Sequence, residues 1–431
     1  MKTFGCQMNK YDSDSISQAL IASGYAQTQH LDQARVILVN TCTVREKAEA
    51  KALTILGRLA SLKRCNPERI IGVVGCVAQD RGMELFSRFP NLDLVLGPRN
   101  IHRVVEYISR IREAGERICA VDILADPVLP MRCGQCVRGK VTSFLKIMEG
   151  CDNFCTYCIV PYVRGREASV PGEQVIDEAD YLVSQGIKEI TLIGQNVNSY
   201  NGNGALRFPA LLRKLDAIPG LKRLRFTTSH PKDLSDDLIQ CFGELKSLCS
   251  HIHLPVQSGS DNVLGLMHRG YTMDRYISLI ERLRSIRPDI AITTDVIVGF
   301  PGETASDFEQ TLRLLDEIQF DSIFSFRYSE RNRTLASRFP NKVDEREKQR
   351  RLHTLQLKQR EITLRKNKLL EGKIQHVLVE GRSRRSEEQL TGRTTGNKVV
   401  NFSAKASLNG QLVMTRIIEG FQNSLLGEVA E

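Results

Sequence analysis

The most specific chemistry in the chain lies in eight residues, Cys151-Asp152-Asn153-Phe154-Cys155-Thr156-Tyr157-Cys158. Three thiolates spaced C-x3-C-x2-C can each bind one iron of a cubane 4Fe-4S cluster, whose usual ligand is cysteine thiolate. A closed cluster would need four cysteines, and no fourth follows at close range. The remaining iron would then be open to a ligand other than protein. A C-x2-C pair also occurs in zinc sites. No matching Cys or His pair stands at zinc-finger distance, so zinc is the weaker reading.

Three further cysteines depend on how the chain folds around them. Residues 1–115 alternate candidate strands (2–4, 35–39, 69–74, 92–96) with helical stretches near 12–23, 45–63, 80–88 and 101–113. This alternation predicts an α/β domain, a doubly wound parallel sheet. Cys6, Cys42 and Cys76 follow the first three strands. Ligands bind such sheets at the carboxyl ends of the strands, where the three thiols would come close together. Unrelated buried thiols remain the alternative. Cys65 and Cys119 fit no such pattern and read as structural thiols.

Residues 116–140 read as a linker, with Pro127, Pro130 and a second C-x2-C pair, Cys133 and Cys136. These two are either exposed thiols or a metal or redox pair. The alternation resumes from 141 to about 328, with strands at 142–148, 189–194, 223–228, 251–256, 290–298 and 322–328. Helices fill 173–185, 206–216, 235–247, 274–286 and 304–318. Residues 344–371 read as one polar helix with a narrow apolar stripe, Leu352, Leu355, Ile362 and Leu369. Its basic outer face is either solvated or an RNA contact. Five short β runs in 372–431 predict a small β-barrel.

The whole chain bounds these readings. Its 431 residues suggest two or three domains, and 26% charged with 41% hydrophobic residues is a soluble globular composition. No stretch approaches the length of a membrane span, and MKTFGCQMNKYD has no signal-peptide core. A cytoplasmic location and no membrane partner are expected. There, twelve cysteines read as metal ligands or buried thiols rather than disulfides. A net charge of +10 suits a polyanionic partner.

The C-x3-C-x2-C loop, with aromatic Tyr157 before its last cysteine, resembles the radical S-adenosylmethionine (SAM) enzymes. That resemblance implies SAM bound by its amino and carboxylate groups at the open iron. It also implies a partial (β/α)6 barrel with the loop at its mouth, where βα loops build active sites. GCQMNKYDSD, NTCTVREKAEAKA and GCVAQ are similar to the amino-terminal domain of the methylthiotransferase family. In that family the matching cysteines, here Cys6, Cys42 and Cys76, hold a second 4Fe-4S cluster. Gln7-Met8-Asn9 resembles the branch that modifies dimethylallyladenosine in tRNA. Residues 372–431 resemble the RNA-binding TRAM domain. The implied domains are 1–115 (methylthiotransferase N-terminal), 116–140 (linker), 141–371 (radical SAM core with its C-terminal helix) and 372–431 (TRAM).

The resemblance also implies an activity and its partners. The expected reaction is methylthiolation at C2 of N6-(dimethylallyl)adenosine in tRNA, using two 4Fe-4S clusters and two SAM per turnover. An electron donor such as flavodoxin or ferredoxin and a monomeric state go with it. No catalytic side chain is assigned. Tyr157, Gln195, Asn196, Ser229, Gln257 and Gly299 are the expected cofactor-binding positions, with His230 and Ser258 further candidates. The polar residues among them could instead cap helices or close turns. Arg164 and Arg166 could meet SAM carboxylate, RNA phosphate or solvent. Arg382, Arg384, Arg385, Arg393 and Lys398 are expected phosphate contacts; Asn401 is a candidate to face RNA and Phe402 reads as core. The alternatives are threonylcarbamoyladenosine in tRNA, a ribosomal-protein aspartate, or an RNA-binding protein that uses iron–sulfur clusters only structurally.

Overall fold

A computed structural model describes residues 1–43, 46–123, 129, 132, 137–202, 204, 206–383, 386 and 388–430. The amino-terminal sheet has five strands, β1 (Lys2–Phe4), β2 (Val36–Thr41), β3 (Ile70–Gly75), β4 (Leu94–Leu96) and β5 (Ile118–Ala120). All its pairings are parallel. β2 and β3 read VILVNT and IIGVVG, the near-continuous apolar runs of strands covered on both faces. Helices Gln7–Ala22 and Val104–Ala114 cover one face through Ile16, Tyr107 and Ile108. Helices Glu46–Cys65 and Glu84–Arg88 cover the other through Leu56, Leu59 and Phe86. The strand order is sequential, β1-β2-β3-β4-β5. Adjacency of the first three strands, with no reversal of order, therefore sets Cys6, Cys42 and Cys76 side by side. β5 lies past residue 115; three residues, Ile-Cys-Ala, are too short a run to mark a strand in sequence.

The middle of the chain forms strands β6 (Thr142–Lys146), β7 (Met148–Glu149), β8 (Ala168–Ser169), β9 (Glu189–Ile193), β10 (Asn201–Gly202), β11 (Leu206–Arg207), β12 (Arg223–Thr227), β13 (His251–His253), β14 (Ala291–Val298) and β15 (Ser322–Arg327). Six of these make a partial barrel of two parallel halves, β12-β9-β6 and β13-β14-β15. A single parallel bridge, Leu224–Leu248, lies between β12 and β13. β7–β8 and β10–β11 are short antiparallel ribbons. Phe226 of β12 meets Phe208 and Phe242 of the outer helices at 5.1 and 5.8 Å between ring centroids, which seals the wall with aromatic area.

Helix Glu345–Lys368 lies against the barrel, but not by an apolar stripe alone. Leu355 and Ile362 are buried and Leu352 partly so, whereas Leu369 is 63% exposed. Polar side chains complete the contact: Gln359 donates to Phe320 O at 2.8 Å, and Arg351 pairs with Glu303 at 2.6 Å. A helix this polar can be buried because most of its buried polar atoms find partners, Gln359 Oε1 being an exception.

The chain ends in a closed barrel, β16 (Ile374–Arg382), β17 (Gln389–Thr394), β18 (Val399–Ser403), β19 (Leu412–Gly420) and β20 (Leu425–Val429), ordered β16-β17-β18-β20-β19. Phe402 is core, with Val377, Val400 and Ile417. Two buried arginines of β12 dock this barrel. Arg223 donates to Arg393 O (2.6 Å) and His376 O (2.7 Å), and Arg225 to Thr394 O (2.7 Å) and Thr395 O (2.8 Å).

A buried charge network joins the first domain to the partial barrel. Arg164 pairs with Asp12 of the first helix at 2.7 Å and with Glu149 at 2.8 Å; Lys146 meets Glu149 at 3.2 Å. Arg99 donates to the carbonyls of Arg164 and Arg166 at 3.0 Å. Arg164 thus serves as a joint, and it also lines the cavity beside Cys76. Removing one partner of such a network strands the others without water. Arg164→Met should cost about 3–5 kcal/mol in denaturant unfolding of the metal-free protein; an unchanged first transition would contradict the network's role.

Candidate active site

Cys6, Cys42 and Cys76 stand just past the ends of β1, β2 and β3. Cys6 precedes helix Gln7–Ala22, and Asn9 Oδ1 accepts from both its backbone N and its Sγ at 3.3 Å. Asn9 Nδ2 donates to Asn40 Oδ1 at 3.0 Å, and Asn40 Nδ2 to Asn9 O at 2.8 Å. This latch fixes the Cys6 turn against the approach to Cys42. Gly75 completes it: its φ is +92°, and a Cβ there would lie 2.3 Å from Asn40 Oδ1. Only glycine suits that backbone and that space. A hydrogen bond with Cys42 holds the Cys6 thiol down to about 6 against burial, while burial pushes Cys76 up.

Cys151, Cys155 and Cys158 occupy the loop after β7. Thr156 pins that loop, donating from its N to Met267 O at 3.1 Å and from its Oγ1 to Leu266 O at 2.8 Å. Burial pushes the Cys151 thiol up to about 11 and Cys158 up to about 12. Both stay protonated at neutral pH until a bound metal displaces the proton.

All six cysteines line one cavity of about 560 Å³. Tyr157, Gln195, Ser229 and Gln257 line it too; Asn196 and Gly299 are not among its lining residues. Asn196 instead donates to Asp233 at 2.8 Å. The Gly299 turn packs against the long helix, where a Cβ would lie 2.3 Å from Lys348 Cγ. Glu303 accepts from Gly299 N at 3.0 Å, and Phe300 sets its ring edge-on to Tyr157. That turn supports Tyr157 from behind. Ser258 is buried and bonded to Thr311 and to Ser260 N, a local structural role.

The cavity wall carries unmet polar groups. Ser229 Oγ, His230 Nε2 and Gln257 Oε1 are buried there without partners. Protein interiors leave few such atoms, and each asks for an explanation; three on one wall fit a polar ligand. Thr228 and Gln257 hold φ of +67° and +73° at the ends of their strands, strain of the kind that collects at functional sites. Lys232 N donates to His230 Nδ1 at 3.3 Å, so Nε2 carries the proton. Burial, with Arg269 and Lys232 nearby, holds His230 down to about 2. It is a neutral donor at any working pH.

Sequence reasoning missed part of this lining. Arg269 reaches the cysteine loop, and His251, His253, Asp295 and Phe324 line the cavity from the second half of the barrel. Asn397 and Gln422, Asn423 and Ser424 line it from the C-terminal barrel. Only the polar residues inside otherwise apolar strands gave a signal for the first group, and nothing local marked the second. A second cavity of about 630 Å³ shares Gln7, Thr227, His251, Phe324, Arg393 and Asn397 with the first and contains no cysteine.

The basic candidates divide. Arg382 is exposed, while Arg384 and Arg385, like Cys133 and Cys136, lie outside the described residues. Arg393 pairs with Glu380 at 3.3 Å. Lys398 is spent internally, on Asp321 at 3.0 Å and Asn367 Oδ1 at 2.8 Å. Arg166 is exposed and pairs with Asp152 at 2.8 Å. Among the described residues no three Cys, His, Asp or Glu side chains are grouped to ligate a single metal ion.

Three family descriptions match the chain: Uncharacterized protein family UPF0004 over residues 1–97, the Radical SAM superfamily over 145–315 and the TRAM domain over 368–430. The tRNA-2-methylthio-N(6)-dimethylallyladenosine synthase of Syntrophus aciditrophicus (strain SB) is 49% identical over all of this chain and 94% of its own length. That of Geobacter metallireducens is 50% identical over all of this chain and 98% of its own. The chain belongs to the tRNA-2-methylthio-N6-dimethylallyladenosine synthase family. Solved structures share the fold of this synthase family member at low identity. The methyltransferase TsrM of Kitasatospora setae, with cobalamin and a [4Fe-4S] cluster bound, matches at TM-score 0.57 and 16% identity, over 76% of this chain and 74% of its own. The cobalamin-dependent enzyme OxsB matches at 0.53 and 15%, over 84% of this chain and 55% of its own. Among the described residues no helix is long and apolar enough to cross a membrane.

Gly75→Ala should break the latch that spaces the first triad while sparing the second. Reconstituted protein should then fall from about eight irons to about four, the content of one cubane. Full iron content in Gly75→Ala, measured with circular dichroism to confirm folding, would contradict that geometry.

Proposed function

We propose that the chain methylthiolates C2 of N6-(dimethylallyl)adenosine next to the anticodon of tRNA, with two 4Fe-4S clusters and two SAM molecules used per turnover. Cys151, Cys155 and Cys158 hold the cluster that binds SAM; Cys6, Cys42 and Cys76 hold the other. Bound there, these cofactors supply a radical able to take hydrogen from an unactivated aromatic carbon and a methylated sulfur to replace it. The observation that carries the reading is that both triads line the same cavity.

The chain's own groups hold, orient and exclude. Gln195 Oε1 accepts from Gly150 N at 2.7 Å, which fixes the start of the second cysteine loop. The unpartnered Ser229 hydroxyl, His230 Nε2–H and Gln257 Oε1 offer a hydroxyl, a donor and an acceptor to the polar parts of SAM. His230 gives up no proton in doing so, because its ring is already neutral. Phe324, exposed inside the cavity, offers a face for a purine to stack on, as flipped bases do. Asn397, Asn423 and Ser424 bring the RNA-binding domain to the cavity's edge, where the nucleotides beside that base would pass.

Arg382, Arg384 and Arg385 supply phosphate contacts. A flavodoxin- or ferredoxin-type protein delivers the electron, and the chain works as a monomer in the cytoplasm. In a bacterial strain lacking its own enzyme of this type, the chain should restore 2-methylthio-N6-(dimethylallyl)adenosine. Mass spectrometry of tRNA nucleosides reads this directly. Methylthiolation found instead on threonylcarbamoyladenosine, or on a ribosomal-protein aspartate, would overturn the assignment.

A further inference from the structure

Arg269 has an environment that differs from that of the buried arginines Arg164, Arg225 and Arg351. Only 4% of its surface is exposed. Nη1 donates to Cys155 Sγ and to Tyr157 OH, both at 3.4 Å; Nη2 donates to Pro255 O at 2.7 Å, and Nε meets Tyr271 OH at 3.4 Å. Arg164, Arg225 and Arg351 each have a carboxylate, Asp12 with Glu149, Glu189, and Glu303 with Glu347. After burial, the strongest influences on Arg269 are Tyr157, Tyr271 and the Cys155 thiol, none of them a carboxylate. A cation withdrawn from water without a counter-ion is costly. Its nearest group able to carry negative charge without pushing a phenol through ionisation is Cys155, a cluster-loop thiol. Arg269 also lines the cavity.

We infer that Arg269 is the built-in counter-charge of the cluster held by Cys151, Cys155 and Cys158, and that it sets that cluster's reduction potential. This rests on the proposed assignment of that triad. Hydrogen bonds to cluster sulfurs and nearby charge are among the levers by which a protein tunes such potentials. A positive charge stabilises the more negative, reduced state. It therefore raises the potential and eases delivery of the electron. Tyr157 and Tyr271 hold the guanidinium in place, and Pro255 O fixes its tilt, so the N–H···S contact is oriented rather than fortuitous. Arg269 touches a ligand and not the reacting carbon, so it is a positioning residue.

The test uses full-length, anaerobically reconstituted protein without SAM or tRNA, titrated electrochemically with electron paramagnetic resonance as the readout. Wild-type protein with two reducible clusters establishes the underlying assignment; a single cluster would sink that assignment first, independently of Arg269. In Arg269→Gln, one cluster's midpoint should move to more negative potential while the other's stays put, and Arg269→Lys should recover part of the shift. SAM cleavage in Arg269→Gln should slow roughly 10-fold or more. Loss of that one cluster in Arg269→Gln, with retention in Arg269→Lys, would also support a counter-charge. Unchanged midpoints in the loaded Arg269→Gln protein would overturn the inference, even if SAM binding weakened. Loss in both variants together with lowered thermal stability would assign Arg269 to folding and overturn it as well.

Discussion

Arg164, with Asp12 on one side and Glu149 on the other, fixes the relation between the two cysteine triads. The pairing is almost wholly withdrawn from water, so a shift of one domain against the other that breaks it without admitting water leaves buried charge unpaired. Glu149 immediately precedes the Gly150–Cys151 turn, and Asp12 sits on the helix that begins beside Cys6. One guanidinium therefore ties both triads to the same point. Apolar packing reinforces it, since Cys76 contacts Ile159 and Val163 just beyond Cys158. Buried ion pairs are often poor sources of net stability. Here the network specifies one domain arrangement, and the shared cavity follows from that arrangement.

The C-terminal barrel belongs to the same construction. An RNA-binding appendage on a flexible tether would need no contact with the catalytic barrel. Instead Arg223 and Arg225 reach four of its backbone carbonyls, and Lys398 is drawn into the ion pairs around Asp321. Carbonyls rather than side chains receive the two arginines, so the docking reads backbone shape. The result is that residues 396–399 and 422–424 form part of the cavity wall.

The cysteines were legible because their spacing and their places at strand ends are local features. The β-barrel and the six-strand alternation were legible for the same reason, with strand ends drifting by up to three residues, as where the strand expected over 251–256 ends at His253. Features that depend on distant pairs were not. The Asn9–Asn40 latch joins residues 31 apart, and nothing near Asn40 marks it as more than a polar residue ending a strand. Gly299 looked like a cofactor turn, yet its neighbour is Lys348 of the long helix. Lys398 reads in sequence as a phosphate contact, yet it pairs with Asp321, 77 residues away along the chain. Arg269 is recognisable by the Cys155 thiol and the two phenols around its guanidinium, a property of three-dimensional surroundings. Leu369 extends a helical apolar stripe in sequence but falls just past the helix end, where the chain turns away and leaves it exposed.

The most direct test is whether two clusters face each other across one cavity. Electron paramagnetic resonance of the fully reduced, reconstituted protein should show magnetic coupling between two paramagnetic clusters. That coupling should disappear, leaving one simple signal, when either Cys6, Cys42 and Cys76 or Cys151, Cys155 and Cys158 are replaced by Ala. A spectrum of the intact protein that equals the sum of the two variants' spectra, with no coupling, would contradict the shared-cavity arrangement.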